Sequence, residues 1–218
     1  MRLISHPVLC NYYVTYRCNA SCGFCDIWEK PSPYVTIEQV EQNLQALKEL
    51  GVKVIDFTGG EPLLHREIDD FLRLAKEMGF ITTLTTNCLL YPKWKDKIKG
   101  LVDMLHFSLD SMDKPTHDAG RGVACYDFVL ESVALAKAIG ERPDIIFTVF
   151  EDNIEEIEAM YSFCQENNLV LILNPAFEYS DVDVKAKLSG EHLDVLKAWA
   201  KKKGVYLNEA FIALREEG

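Results

Sequence analysis

Apolar strand-like runs alternate with amphipathic helical stretches along nearly the whole chain, and that alternation leaves few folds open. The apolar runs are 9–15, 53–58, 81–86, 104–109, 145–150 and 170–174. The helical stretches are 36–50, 66–78, 91–98, 126–139, 154–167 and 191–203. Gly51, Gly79, Gly140 and Gly204 each follow a helical stretch, where a glycine closes off the last carbonyls. Such an order predicts parallel β/α units joined by right-handed crossovers. There are six units, with 205–208 a candidate extra strand, short of the eight that close a full barrel. The expected fold class is α/β, an open, partial parallel β/α barrel of about six β/α units. No repeat, low-complexity tract or linker divides it. Residues 1–208 are read as one barrel domain and 209–218 as a C-terminal extension.

In parallel β/α folds, ligands bind at the carboxyl ends of the strands. Three cysteines lie just after the first strand, in Cys18-Asn-Ala-Ser-Cys22-Gly-Phe-Cys25, a C-x3-C-x2-C spacing. Thiolates are the ligands that iron–sulfur clusters select, and a short loop can aim all three at one cluster. An electron-transfer cluster ordinarily takes four cysteines. Three leave one iron open to a substrate or cofactor. A structural zinc site is the rival, but it needs four ligands, typically from a second C-x2-C or paired histidines. There is no second such knuckle, and His6, His65, His106, His117 and His192 are scattered.

With aromatic Phe24 before the last cysteine and Asp26-Ile27-Trp28 after it, the cysteine motif resembles that of the radical S-adenosylmethionine (radical SAM) enzymes. Further matches follow in that family's order. Thr58-Gly59-Gly60-Glu61-Pro62 is similar to its Gly-Gly-Glu-Pro motif. Thr85-Thr86-Asn87 and Ser108-Leu109-Asp110 resemble its third and fourth strand ends. His117-Asp118, Arg121-Gly122 and Tyr126-Asp127 resemble the segment that follows. The resemblance runs from about Tyr12 to Pro175. It implies the same six-unit open barrel. It also implies a [4Fe-4S] cluster on Cys18, Cys22 and Cys25, whose open iron is chelated by the amino and carboxylate groups of S-adenosylmethionine. One electron then cleaves the sulfonium to methionine and a 5′-deoxyadenosyl radical, which takes a hydrogen atom from a substrate.

Each remaining site residue has a plainer reading beside the functional one. Gly59 and Gly60 would let backbone approach a ligand, and Glu61 would accept from the cofactor's ammonium; otherwise they form a strand-to-helix turn. Ser108 and Arg121 are candidates for the cofactor's carboxylate, Arg121 because its planar fork matches one. Thr86, Asn87 and Asp110 are candidates for the ribose hydroxyls or the amino group. The plainer readings are strand-end capping and, for Arg121, a solvated surface. Phe24 would pack beside the cluster or the adenine. The family usually carries glycine after the Asn87 and Asp110 positions, where Cys88 and Ser111 stand here. Cys88 is the one further cysteine near the active face. Cys10, Cys125 and Cys164 read as packed thiols, and Glu178 and Tyr179 as loop surface.

Composition sets outer limits. The chain has 218 residues, 48% apolar and 26% charged, as a soluble globular domain does. A formal charge of −11 argues against binding an extended nucleic-acid backbone. No stretch approaches a membrane span, and the N-terminus lacks a signal-peptide pattern. An odd count of seven cysteines, three in one loop, fits metal binding in a reducing cytoplasm. The expected partners are a peptide or small-molecule substrate and an electron donor such as flavodoxin or ferredoxin. The alternative is a non-enzymatic iron–sulfur or zinc-binding module on the same scaffold. The apolar Phe211, Ile212 and Leu214 near the end predict that the chain continues into a segment that would cover them.

Overall fold

The computed structural model describes residues 7–176, 188 and 190–208. Seven parallel strands form one open sheet in sequence order: β1 (Leu9–Thr15), β2 (Val54–Gly59), β3 (Ile81–Thr86), β4 (Met104–Ser108), β5 (Asp144–Val149), β6 (Leu171–Pro175) and β7 (Val205–Leu207). Helices fill the crossovers: α1 (Ile37–Glu49), α2 (Ile68–Glu77), α3 (Tyr91–Ile98), α4 (Lys114–Arg121), α5 (Tyr126–Ala138), α6 (Ile157–Asn167) and α7 (Gly190–Ala200). The expected partial barrel is therefore present, with 205–207 as its seventh strand.

Strand alternation gives the sheet two unlike faces. Ile55, Phe57, Leu84, Phe107, Ile145, Phe147, Leu171 and Leu173 point to the helices and are buried. Helix α2 answers them with Ile68, Phe71, Leu72 and Ala75, the spacing of one helical face. The concave face instead carries Asn11, Asp56, Thr85 and Asn174, which border a cavity. Thr36 starts α1 with a reciprocal cap: its hydroxyl accepts from the Gln39 amide, and Gln39 Oε1 accepts from the Thr36 amide at 2.9 Å.

Two elements differ from the sequence reading. The segment 114–121 is helical, begun by Asp113, whose carboxylate accepts from the Thr116 amide at 3.0 Å. The stretch expected as one helix from 154 starts as a 3-10 turn, Ile154–Glu156, before α6. Residues 209–218, with Phe211, Ile212 and Leu214, lie outside the described residues, as do Glu178 and Tyr179.

Candidate active site

The cysteine loop leaves β1 and is pinned mainly by backbone. The Cys25 amide donates to the Cys22 carbonyl at 3.2 Å, and Trp28 Nε1 donates to the Cys25 carbonyl at 2.8 Å. The Ser21 and Gly23 amides donate to the Arg121 and Gly120 carbonyls at the end of α4, both at 3.1 Å. All seven cysteines are free thiols. Burial pushes the Cys18 thiol up to about 11, with the nearby Glu61 carboxylate adding to the shift. Cys22 is also raised by burial, opposed by the Arg121 guanidinium. Thiols that resist ionisation alone but border one cavity fit a cationic centre, whose binding expels their protons.

The paired glycines do something the sequence did not disclose. A Cβ on Gly59 would sit 2.1 Å from the Thr15 carbonyl oxygen, and one on Gly60 would sit 2.2 Å from that of Arg17. The Gly60 and Glu61 amides donate to those same two oxygens, each at 2.8 Å. The close approach is thus to the chain entering the cysteine loop, and both glycines also border the cavity. Glu61 is fully buried. Its Oε1 accepts from the Leu63 amide (3.0 Å) and the Thr86 hydroxyl (2.8 Å), and Oε2 from the Asn87 amide (2.9 Å). Burial raises its pKa to about 7 despite those donors.

At the end of β3, Asn87 Nδ2 donates to Asn19 Oδ1 at 2.8 Å and lies 3.9 Å from Cys18 Sγ. Cys88 has φ +70°, left-handed backbone where a glycine costs nothing. Its thiol is sealed in the core and burial drives its pKa well up, which marks it as packing rather than reactive chemistry. At the other glycine-expected position, Ser111 Oγ donates to Glu156 Oε2 at 2.5 Å.

Arg121 is buried, not solvated. Its Nη2 pairs with Asp110 Oδ2 at 2.6 Å, and its guanidinium lies 5.4 Å from the Phe24 ring centroid, while buried Nε has no partner. Phe24 packs on Phe150, with centroids 5.1 Å apart. The second Asp110 oxygen accepts from the Thr148 amide at 3.0 Å. Asp110 is thus occupied in holding Arg121 and joining β4 to β5, and it does not border the cavity. Every other predicted residue does: Cys18, Cys22, Phe24, Cys25, Gly59, Gly60, Glu61, Thr86, Asn87, Ser108 and Arg121 surround a space of about 450 Å³.

One constellation escaped the sequence reading. His117, Asp118 and Cys125 bring ligand-type atoms within 4.8 Å of one another. Each atom already has work. His117 Nδ1 accepts from the Asp110 amide (3.1 Å), which leaves Nε2 to donate to Cys125 Sγ (3.3 Å). Asp118 Oδ1 accepts from the Cys125 and Tyr126 amides, both at 2.8 Å. Burial and the Arg121 charge lower His117 to about 4, so it stays neutral. Through the Asp110 amide the trio is tied to the partner of Arg121. The pairing of His117 with Asp118 was visible in sequence; its contact with Cys125 depends on the turn after α4.

An open parallel β/α barrel with three cysteines facing one cavity defines a class, and comparison with known proteins names it. The sequence profile of the radical SAM superfamily matches residues 12–164, and the chain belongs to that superfamily. It is 31% identical over 167 residues to a protein of Methanocella arvoryzae named Probable GTP 3',8-cyclase, covering 72% of this chain and 53% of the relative. It is 32% identical over 117 residues to the S-adenosylmethionine-dependent nucleotide dehydratase RSAD2 of Siniperca chuatsi, covering 51% of this chain and 33% of the relative. The chain thus spans about a third to a half of these relatives' length. The structure of Streptococcus suis SuiB bound to S-adenosylmethionine superposes with a TM-score of 0.78 at 21% identity, over 94% of this chain and 50% of SuiB. Among the described residues, no helix is long and apolar enough to cross a membrane.

Proposed function

We propose that Cys18, Cys22 and Cys25 hold a [4Fe-4S] cluster and that the adjoining cavity binds S-adenosylmethionine for radical chemistry on a substrate. The observation that carries this is convergence: residues from the ends of the first four strands and from the end of α4, dispersed from 18 to 121, border one cavity with all three thiols. When bound, the cluster and cofactor supply one-electron cleavage of a sulfonium, giving methionine and a carbon radical that takes a hydrogen atom from the substrate.

The chain's own groups hold and orient the cofactor. Arg121 faces the cavity with Nε unpartnered and Asp110 fixing its plane, which suits a carboxylate, and Ser108 borders the same side. Glu61 Oε2 accepts one internal hydrogen bond, which leaves a lone pair for an ammonium. Thr86 and Asn87 stand beside it for the ribose or amino group, and Phe24 walls the space with its ring. The two glycines keep the Glu61 turn locked to the cysteine loop, so cofactor and cluster sites hold a fixed separation. Asp110 serves here through Arg121 rather than by direct contact.

The substrate belongs to the small molecules or peptides, and the electron donor to small carriers such as flavodoxin or ferredoxin. The test is anaerobic reconstitution followed by assay for 5′-deoxyadenosine with a chemical reductant. Formation dependent on all three cysteines supports the reading. A protein that binds iron and sulfide but never cleaves S-adenosylmethionine would be a binding module instead.

A further inference from the structure

The cavity carries charge that the cofactor reading does not use. Among the described residues, its charged lining is Asp56, Glu61 and Arg121. Glu61 accepts three internal hydrogen bonds, and Arg121 is paired with Asp110. Asp56 is held differently. Its Oδ1 accepts from Thr83 Oγ1 at 2.5 Å and from Thr85 Oγ1 at 3.5 Å, and among the described residues no cation pairs with it.

Among the described residues the concave face around Asp56 is polar but poor in donors of positive charge. Asp56 stands between Asn11 and Thr83 in the sheet register, and the next row runs Thr85, His106, Asp144. His106 Nδ1 lies 3.5 Å from Asp144 Oδ2 and makes no hydrogen bond although the atom is buried. Burial lowers the His106 pKa, with Asp56 pulling the other way, and raises Asp144 to about 6. The face therefore holds two acidic side chains and an imidazole whose charging burial disfavours. The Asn11 and Asn174 side chains border the cavity with Asp56, while His106 and Asp144 lie beyond its lining on the same sheet face. Sites that hold polyphosphates meet that charge with arginines, lysines or helix N-termini. Among the described residues none borders this cavity beyond Arg121, and a formal charge of −11 repels polyanions at longer range.

We propose that the concave face is a substrate subsite for a cation: the substrate bears an ammonium or guanidinium group that Asp56 receives, with Asp144 reinforcing the field. This rests on the radical reading above, and it sets this chain apart from the nucleotides in its relatives' names. The plainer role, a carboxylate merely tying two strand threonines, would leave ligand binding indifferent to its charge.

The test uses the reconstituted protein with S-adenosylmethionine bound. Agmatine, spermidine and the blocked peptide acetyl-Gly-Lys-Gly-amide are titrated by calorimetry near neutral pH, and GTP and CTP in parallel. At least one of the cations should bind saturably, and roughly tenfold or more weakly to Asp56→Asn, which loses the charge but keeps the acceptor for Thr83. Asp144→Asn, on a different strand, should weaken the same cation by a smaller factor, and it stands in if Asp56→Asn fails to fold. Absence of cation binding, saturable binding of GTP or CTP that cations do not displace, or wild-type cation affinity in the folded variants overturns the proposal. The radical reading is judged separately, on 5′-deoxyadenosine made by the wild-type sample without these probes.

Discussion

A carboxylate sealed from water yet held by three donors sits between two charge states, and Glu61 is in that position. Its pKa rises from 4.5 to about 7, so folding favours the protonated form. That contribution is present below about 4.5 and is lost as pH rises through about 7, an effect of roughly 3 kcal/mol. Glu61→Gln cannot titrate. In urea melts of the metal-free protein, its stability relative to wild type should improve by up to roughly 3 kcal/mol from about pH 4.5 to about pH 8. Cofactor binding should run the other way: an ammonium needs the ionised carboxylate, so wild-type affinity for S-adenosylmethionine should rise with pH through about 7. The glutamine variant should bind roughly tenfold more weakly and lose that dependence. A flat wild-type profile by calorimetry would reduce Glu61 to a structural anchor. Cys22→Ala should abolish the iron and the brown chromophore while circular dichroism stays near wild type; normal iron content would sink the three-thiol assignment. At this scale residue types were legible and their neighbours were not. The sequence offered Gly59 and Gly60 as room for a ligand, but the carbonyls of Thr15 and Arg17 occupy that room, and a pairing between separate strand ends leaves no local pattern.

Helix α4 supplies Arg121 to the cavity and steadies the cysteine loop without giving it a thiol. It hands two carbonyls to the cysteine loop and ends at Gly122 with φ +64°, where a Cβ would meet the Ser21 carbonyl oxygen at 2.4 Å. Gly122→Ala adds left-handed strain of roughly 1 kcal/mol and pushes the loop away as well. The variant should lose roughly 2 kcal/mol in denaturant titrations and take up less iron per chain on reconstitution; full iron with unchanged stability would refute the clamp. The sequence Lys-Pro-Thr-His-Asp-Ala-Gly-Arg hid this helix, because it is only two turns long and contains a proline and a glycine. Its signals lay at the ends, Asp113 as cap, Pro115 in the first turn and Gly122 as stop. The longer helices were readable because a repeating apolar face over three turns leaves a periodic trace, as in α2.

The whole molecule separates stability from recognition by sheet face. Leu173 points to the helices and is buried, while neighbouring Ile172 points into the cavity and is half-buried. Leu173→Ala should cost roughly 2–5 kcal/mol, and Ile172→Ala markedly less, in urea unfolding. Equal costs would mean the concave face is as tightly packed as the outer one. Six of the strands and the gathering of motifs at their carboxyl ends followed from alternation and the parallel-sheet rule. The acidic concave face did not, because which side of a strand faces inward depends on how the sheet curves. The brace between Ser21 and Gly122 spans 101 residues. A growing chain exposes its cysteines long before their brace exists, since synthesis proceeds from the N-terminus. Loading of the proposed cluster would thereby be tied to time as well as place: nascent chains arrested before Gly122 should fail to retain iron and sulfide that the released chain keeps.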